Sequence, residues 1–321
     1  LRDYFYYTGW YGDHSALYAC HSSPVHYFIT KALDATGSTR AGEIVPHLIR
    51  SVPTDPDRAL MPYTDDCETL VGRVIRRNGA GPAVTETCLS ILGDEQAKPV
   101  KEIADAIGTT YAAWAGKPDP ENRAAHILSL TCRDRAYEPR IRAALDRYRD
   151  KPVRADLVRA FGGGGLPPAT PVKHWVCFYL ARELGNLGDP RLAANAQDQP
   201  VRNATVDSLI AVLEKCPPEA AAGKPPADDP AVLFLHNDLT PCYRAAAAWA
   251  LGRIGDKRAA PVLLKVIGDL DNAPDTRYAA AEALGLIADP DSLAAMRRLA
   301  GDYPDLATRR ALLQACGKTA R

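Results

Sequence analysis

The chain has 321 residues, is 46% hydrophobic, and balances 39 basic against 39 acidic residues. That zero net charge lacks the basic excess of a general nucleic-acid binder, and no apolar run reaches the roughly 20 residues of a membrane span. Neither nucleic acid nor a membrane is therefore expected as a partner.

Residues 1–40 differ in texture from all that follows. They hold Tyr4, Phe5, Tyr6, Tyr7, Trp10 and Tyr11, and lack the Ala/Leu spacing of a helix. An irregular aromatic N-terminal cap is expected, because helical arrays need atypical ends to cover their cores. Tyr6, Tyr7, Trp10 and Tyr11 are the candidate partner-binding residues if the rings stay exposed. His14, Cys20, His21 and His26 form the only ligand-like cluster, of residue types that suit zinc or another soft metal. Their spacing matches no standard site, and packed, hydrogen-bonded histidines are the alternative. No cofactor is expected.

Residues 41–161 read as a first block of paired helices. Helical spacing predicts elements over 65–77, 82–92, a segment after Pro99, 121–131 and 139–148, with another starting near 155 and running to 161. Asn78-Gly79 and Gly93-Asp94 mark helix ends. The segment 133–159 is rich in arginine interleaved with acids, the pattern of a solvated helix face. Residues 162–170, with four consecutive glycines and then Pro167-Pro168, read as a connector. No Gly-Lys-Ser/Thr follows those glycines, so they are not a phosphate loop.

Residues 171–316 form the second block, interrupted by a Pro/Ala-rich insertion at 217–230. Cys216 and Cys242 flank that insertion and are a candidate disulfide pair. Cys88, Cys132, Cys177 and Cys316 fall inside helical patterns, where cysteine behaves as a small hydrophobe. Eight cysteines in all leave export and cytoplasm both open. A final helix from Pro304 to Cys316 has no second helix after it in the sequence.

The repeat is clearest over 241–301. Tyr243, Ala247, Ala250, Leu251 and Ile254 form one apolar stripe, Gly255-Asp256 breaks it, and a second helical pattern runs through Val262, Leu263, Ile267 and Leu270. Leu284-Gly285 repeats Leu251-Gly252 after 33 residues, with the break at Ala288-Asp289. Leu251, Ile254, Leu284 and Ile287 are the expected core. Asp189, Asp256 and Asp289 stand where an N-cap acceptor is needed, and Asp189 and Asp289 precede a proline. Pro261 predicts that its helix becomes regular only after about 259.

The runs Arg244–Asp256 and Arg277–Asp289 resemble the HEAT-repeat family, in the short HEAT-like form shared with phycobilisome bilin lyases. The resemblance implies an all-α fold, a right-handed HEAT-like α-solenoid of stacked helical hairpins. It implies no catalytic residues, and no motif of lyase chemistry is present. The function expected is a non-enzymatic protein–protein interaction scaffold. Its protein partner would lie on the concave face, assigned to the stacked second helices, or at the terminal edges. An accessory repeat domain of a larger, secreted enzyme, and a lyase or chaperone acting on a cofactor-bearing protein, are the alternatives.

Overall fold

A computed structural model describes residues 32, 35, 45–51, 65–108, 120–151, 157–158, 170–189, 199–216 and 242–319. The described elements are almost entirely helical and pack in neighbouring pairs, as a helical repeat array requires. The chain divides into two compact units. The first comprises 1–132 with 157–170, and the second 133–156 with 171–321.

The first unit contains α1 (Val45–Ser51), α2 (Asp65–Arg77), α3 (Gly81–Ile91), α4 (Lys101–Gly108) and α5 (Pro120–Thr131). Its core is aliphatic, built on Ile49, Ile75, Leu89, Ile107, Ile127 and Leu128. Gly72 lets α2 lie directly on α5, since a Cβ there would run into the carbonyl of Leu130. Cys88 of α3 is buried beside Cys132, and that burial raises its thiol pKa. Residues 155–161 were expected to begin a helix. Instead, Leu157–Val158 is a two-residue strand, β1, hydrogen-bonded to β2 (Thr170–Pro171). A helix there would run straight into Gly162–Gly165, which cannot sustain it.

The second unit runs through α6 (Glu138–Asp150), α7 (Val172–Leu187), α8 (Gln199–Lys215), α9 (Tyr243–Ile254), α10 (Ala260–Gly268), α11 (Pro274–Ile287), α12 (Leu293–Gly301) and α13 (Leu306–Thr319). The turn chemistry of the hairpins follows the sequence. Asp134 and Asp256 each accept the backbone N–H two residues on, at 2.9 Å, and each opens a short 3-10 turn before its helix. Thus α10 becomes regular at Ala260, as Pro261 predicted. Asp289 differs. It makes no bond to the backbone and accepts from the Ser292 hydroxyl at 2.8 Å instead. Gly255 ends α9 at φ 71°, and Ala288 takes the same left-handed place after α11 at φ 50°.

One arginine per repeat ties each first helix to the end of the helix before it. Arg244 Nη1 donates to the carbonyls of Leu213, at 2.8 Å, and Cys216, while Nη2 donates to Asn272 Oδ1 at 2.6 Å. Arg277 donates to the Leu270 and Asn272 carbonyls at 2.9 and 2.6 Å. Arg309 Nε donates to the Ala300 carbonyl at 3.0 Å. In the first unit Arg123 of α5 donates to the Ile49 carbonyl of α1 at 2.6 Å, several helices earlier in the chain. The last carbonyls of a helix have no partner within it, and a guanidinium both satisfies them and complements the negative dipole end. Asn272 is the shared node, since its own amide donates to Val266 and Asp269.

Leu251, Ile254, Leu284 and Ile287 are all buried, as expected of the core stripe. The first helices α7, α9, α11 and α13 lie against one another in sequence order. They approach closely because small residues face each other. A Cβ on Gly185 would stand 2.8 Å from Ala250 Cα, and one on Gly252 would stand 2.6 Å from Ala283 Cα. The second helices α8, α10 and α12 touch one another far less. The first helices are therefore the more tightly stacked layer of this unit.

Candidate partner-binding face

The exposed side of the first helices in the second unit gathers the aromatic and charged groups. On α9, Trp249 lies between two guanidiniums: Arg182 of α7 is 5.7 Å from its ring centre and Arg253 is 5.3 Å. Arg182 also covers Phe178 at 5.7 Å. Such cation–π contacts hold long side chains in place on a surface. Arg253 is fixed further by Asp189, whose buried carboxylate lies 3.2 Å from Nη2. The marker aspartate before Pro190 thus anchors the next repeat's surface arginine.

Beside Trp249 a shallow hollow opens across three helices. Its floor is the Ala279, Ala283 and Gly285 side of α11, and Gln314 of α13 closes the far side. Glu282 and Leu286 stand at the hollow, and Leu286 is 53% exposed. Glu282 accepts the Tyr278 hydroxyl at 2.9 Å, which raises the phenol above its usual pKa. The small residues that allow close helix packing also leave this hollow open. The result is an apolar floor ringed by guanidinium, carboxylate and amide groups.

Among the described residues no group of three or more His, Cys, Asp or Glu could hold a metal ion. His14, Cys20, His21 and His26, and the rings Tyr6, Tyr7, Trp10 and Tyr11, lie outside the described residues. Cys216 and Cys242 are free thiols in the structure. Cys242 Sγ lies 2.8 Å from the Thr276 hydroxyl, and Cys216 is buried just after α8. Alkylation of the unfolded, unreduced protein followed by peptide mapping should find both Cys216 and Cys242 modified; an unmodified pair would signal the bridge. In the arginine-rich segment, Arg133, Arg135 and Arg149 are engaged by acids and backbone. Arg149 pairs with Asp146 and Asp150, and Arg135 donates to the Leu187 carbonyl at 2.7 Å. Arg133 pairs with the fully buried Glu183 at 3.0 Å.

Glu138, the first residue of α6, was not anticipated. It is buried, and neither carboxylate oxygen has a hydrogen-bond partner among the described residues. Burial raises its pKa to about 7, and the charges of Arg142 and Arg135 offset this only in part. The folded state therefore favours the neutral acid. Stability from this group is full below its unfolded pKa and is lost as pH rises through about 7. Glu138→Gln should accordingly raise the thermal midpoint at pH 8 and change it little at pH 4. An equal effect at both pH values would contradict this.

The geometry defines an α-helical repeat protein. Residues 229–317 match the family model of HEAT repeats. No curated protein matches the chain. No described helix is long and apolar enough to cross a membrane.

Proposed function

We propose that the protein is a non-catalytic scaffold that holds a protein partner on the first-helix face of its second unit. HEAT repeats commonly mediate protein interactions, and stacked repeats offer long continuous surfaces for the purpose. The observation that carries the reading is the hollow at Trp249 and Leu286. There an exposed leucine and a guanidinium-flanked indole sit over an alanine and glycine floor. Aromatic and arginine anchors of this kind dominate the energetics of protein interfaces.

The test is a surface substitution that spares the core. Leu286→Asp should leave the unfolding midpoint within about 0.5 kcal/mol of the parent, because the side chain is half in water. It should weaken capture of the native partner by tenfold or more, the scale of a 1.4 kcal/mol contact. Lys265→Asp, on the exposed side of α10, should leave capture unchanged. Capture that ignores Leu286 and depends on Lys265 would move the site to the second helices.

A further inference from the structure

One register position of the first helices makes a row of polar and aromatic groups across the second unit. Counting back seven residues from the marker Asp189, Asp256 and Asp289 gives Arg182, Trp249 and Glu282, on α7, α9 and α11. Gln314 continues the row on α13, since Arg309 stands in the place of Arg277. One turn further along, the same register gives Arg253 and Leu286. Members of both rows line the hollow beside Trp249, which has a volume of about 160 Å³. That is room for one side chain, below the roughly 300–1,000 Å³ of a small-molecule pocket. The two charges that line it are not equally engaged. Arg253 is taken by Asp189 at 3.2 Å and also lies over Trp249. Glu282 accepts only the neutral Tyr278 hydroxyl, through Oε1 at 2.9 Å, and makes no ion pair with a described residue. Its Oε2 accepts from no described residue.

We propose that the hollow receives a basic side chain, lysine or arginine, from the protein partner. This occupant rests on the reading that the partner lies on the first-helix face. A long basic side chain has an aliphatic stem that covers apolar surface and a charged end that needs acceptors. The stem meets the floor of Ala279, Ala283 and Gly285 and the walls formed by Trp249 and Leu286. The charged end meets Oε2 of Glu282, whose carboxylate Tyr278 already holds, and the Gln314 amide oxygen is a second acceptor at the same hollow. An acidic side chain would face Glu282 with like charge and find Arg253 already paired. An aliphatic one would cover Oε2 and leave it without a donor, which is costly. Leu286→Asp still weakens capture, because burying a leucine against the partner outweighs an added exposed ion pair.

Peptides selected on the 321-residue protein from a phage-displayed random library supply defined probes. Those whose binding is lost with Leu286→Asp report on the hollow. They should carry a lysine or arginine whose replacement by norleucine weakens binding about three- to tenfold, between the scale of an exposed ion pair and that of a charge-assisted hydrogen bond. Glu282→Gln keeps an acceptor for Tyr278 and should weaken the parent peptide by the same factor. The two changes together should cost no more than either alone, and added salt should weaken the parent pair more than either variant. Leu286-dependent peptides that lack a basic residue, that tolerate norleucine in its place, or that ignore Glu282→Gln would overturn the basic occupant and leave the partner face standing. If no selected peptide depends on Leu286, the basic occupant and the partner face both fall.

Discussion

Arg244→Ala is expected to lower unfolding free energy by about 3–5 kcal/mol, because it strands several buried acceptors at once. The guanidinium is buried and bonds the carbonyls of Leu213 and Cys216 and the Asn272 side chain. An alanine would leave the end of α8 and the node at Asn272 without donors in a site that water does not reach. Each such buried acceptor costs about 1–3 kcal/mol, partly relieved by local relaxation. Arg298→Ala, on the exposed side of α12, should fall within about 0.5 kcal/mol of the parent. Urea unfolding of the two variants measures the difference directly. Equal midpoints would mean that the arginine bridges do not hold the repeats together.

Leu284→Ala should cost about 2–5 kcal/mol. Leu284 is 1% exposed on α11, where that helix meets α9, α10 and α13. Close packing on several sides leaves little room for collapse, so the upper half of the range is expected. Leu251→Ala, one repeat earlier and fully buried, should match it. A Leu284→Ala midpoint indistinguishable from the parent would refute the 33-residue register on which the fold assignment rests.

Much of this architecture can be read from residue spacing because each repeat must bury one apolar stripe against the next. Helix limits at 65–77, the 3-10 turn before Ala260 and the buried set around Leu251 all follow from local pattern and turn chemistry. What spacing conceals is what a residue does across repeats. Arg244 and Arg277 look like surface charges in a helical pattern, yet they fold inward onto carbonyls more than a turn away in space. Their recurrence 33 residues apart was the available signal. Asp289 reads as a cap, but the Ser292 hydroxyl competes for its carboxylate. The close stacking of the first helices depends on which helices carry Gly opposite Ala, a pairing that needs the packing partner to be known. Glu138 gives no sequence signal at all, since glutamate at a helix start is ordinarily solvated and favourable.

The central claim is that a protein partner lies on the first helices of the second unit. The most direct measurement places a photo-crosslinking side chain at Leu286 in one variant and at Lys265 in another, and irradiates each in extract from the native source. Crosslinking of one discrete protein at Leu286, absent at Lys265 and competed by the unlabelled parent chain, is the predicted result. Crosslinking at Lys265 with none at Leu286 would contradict it.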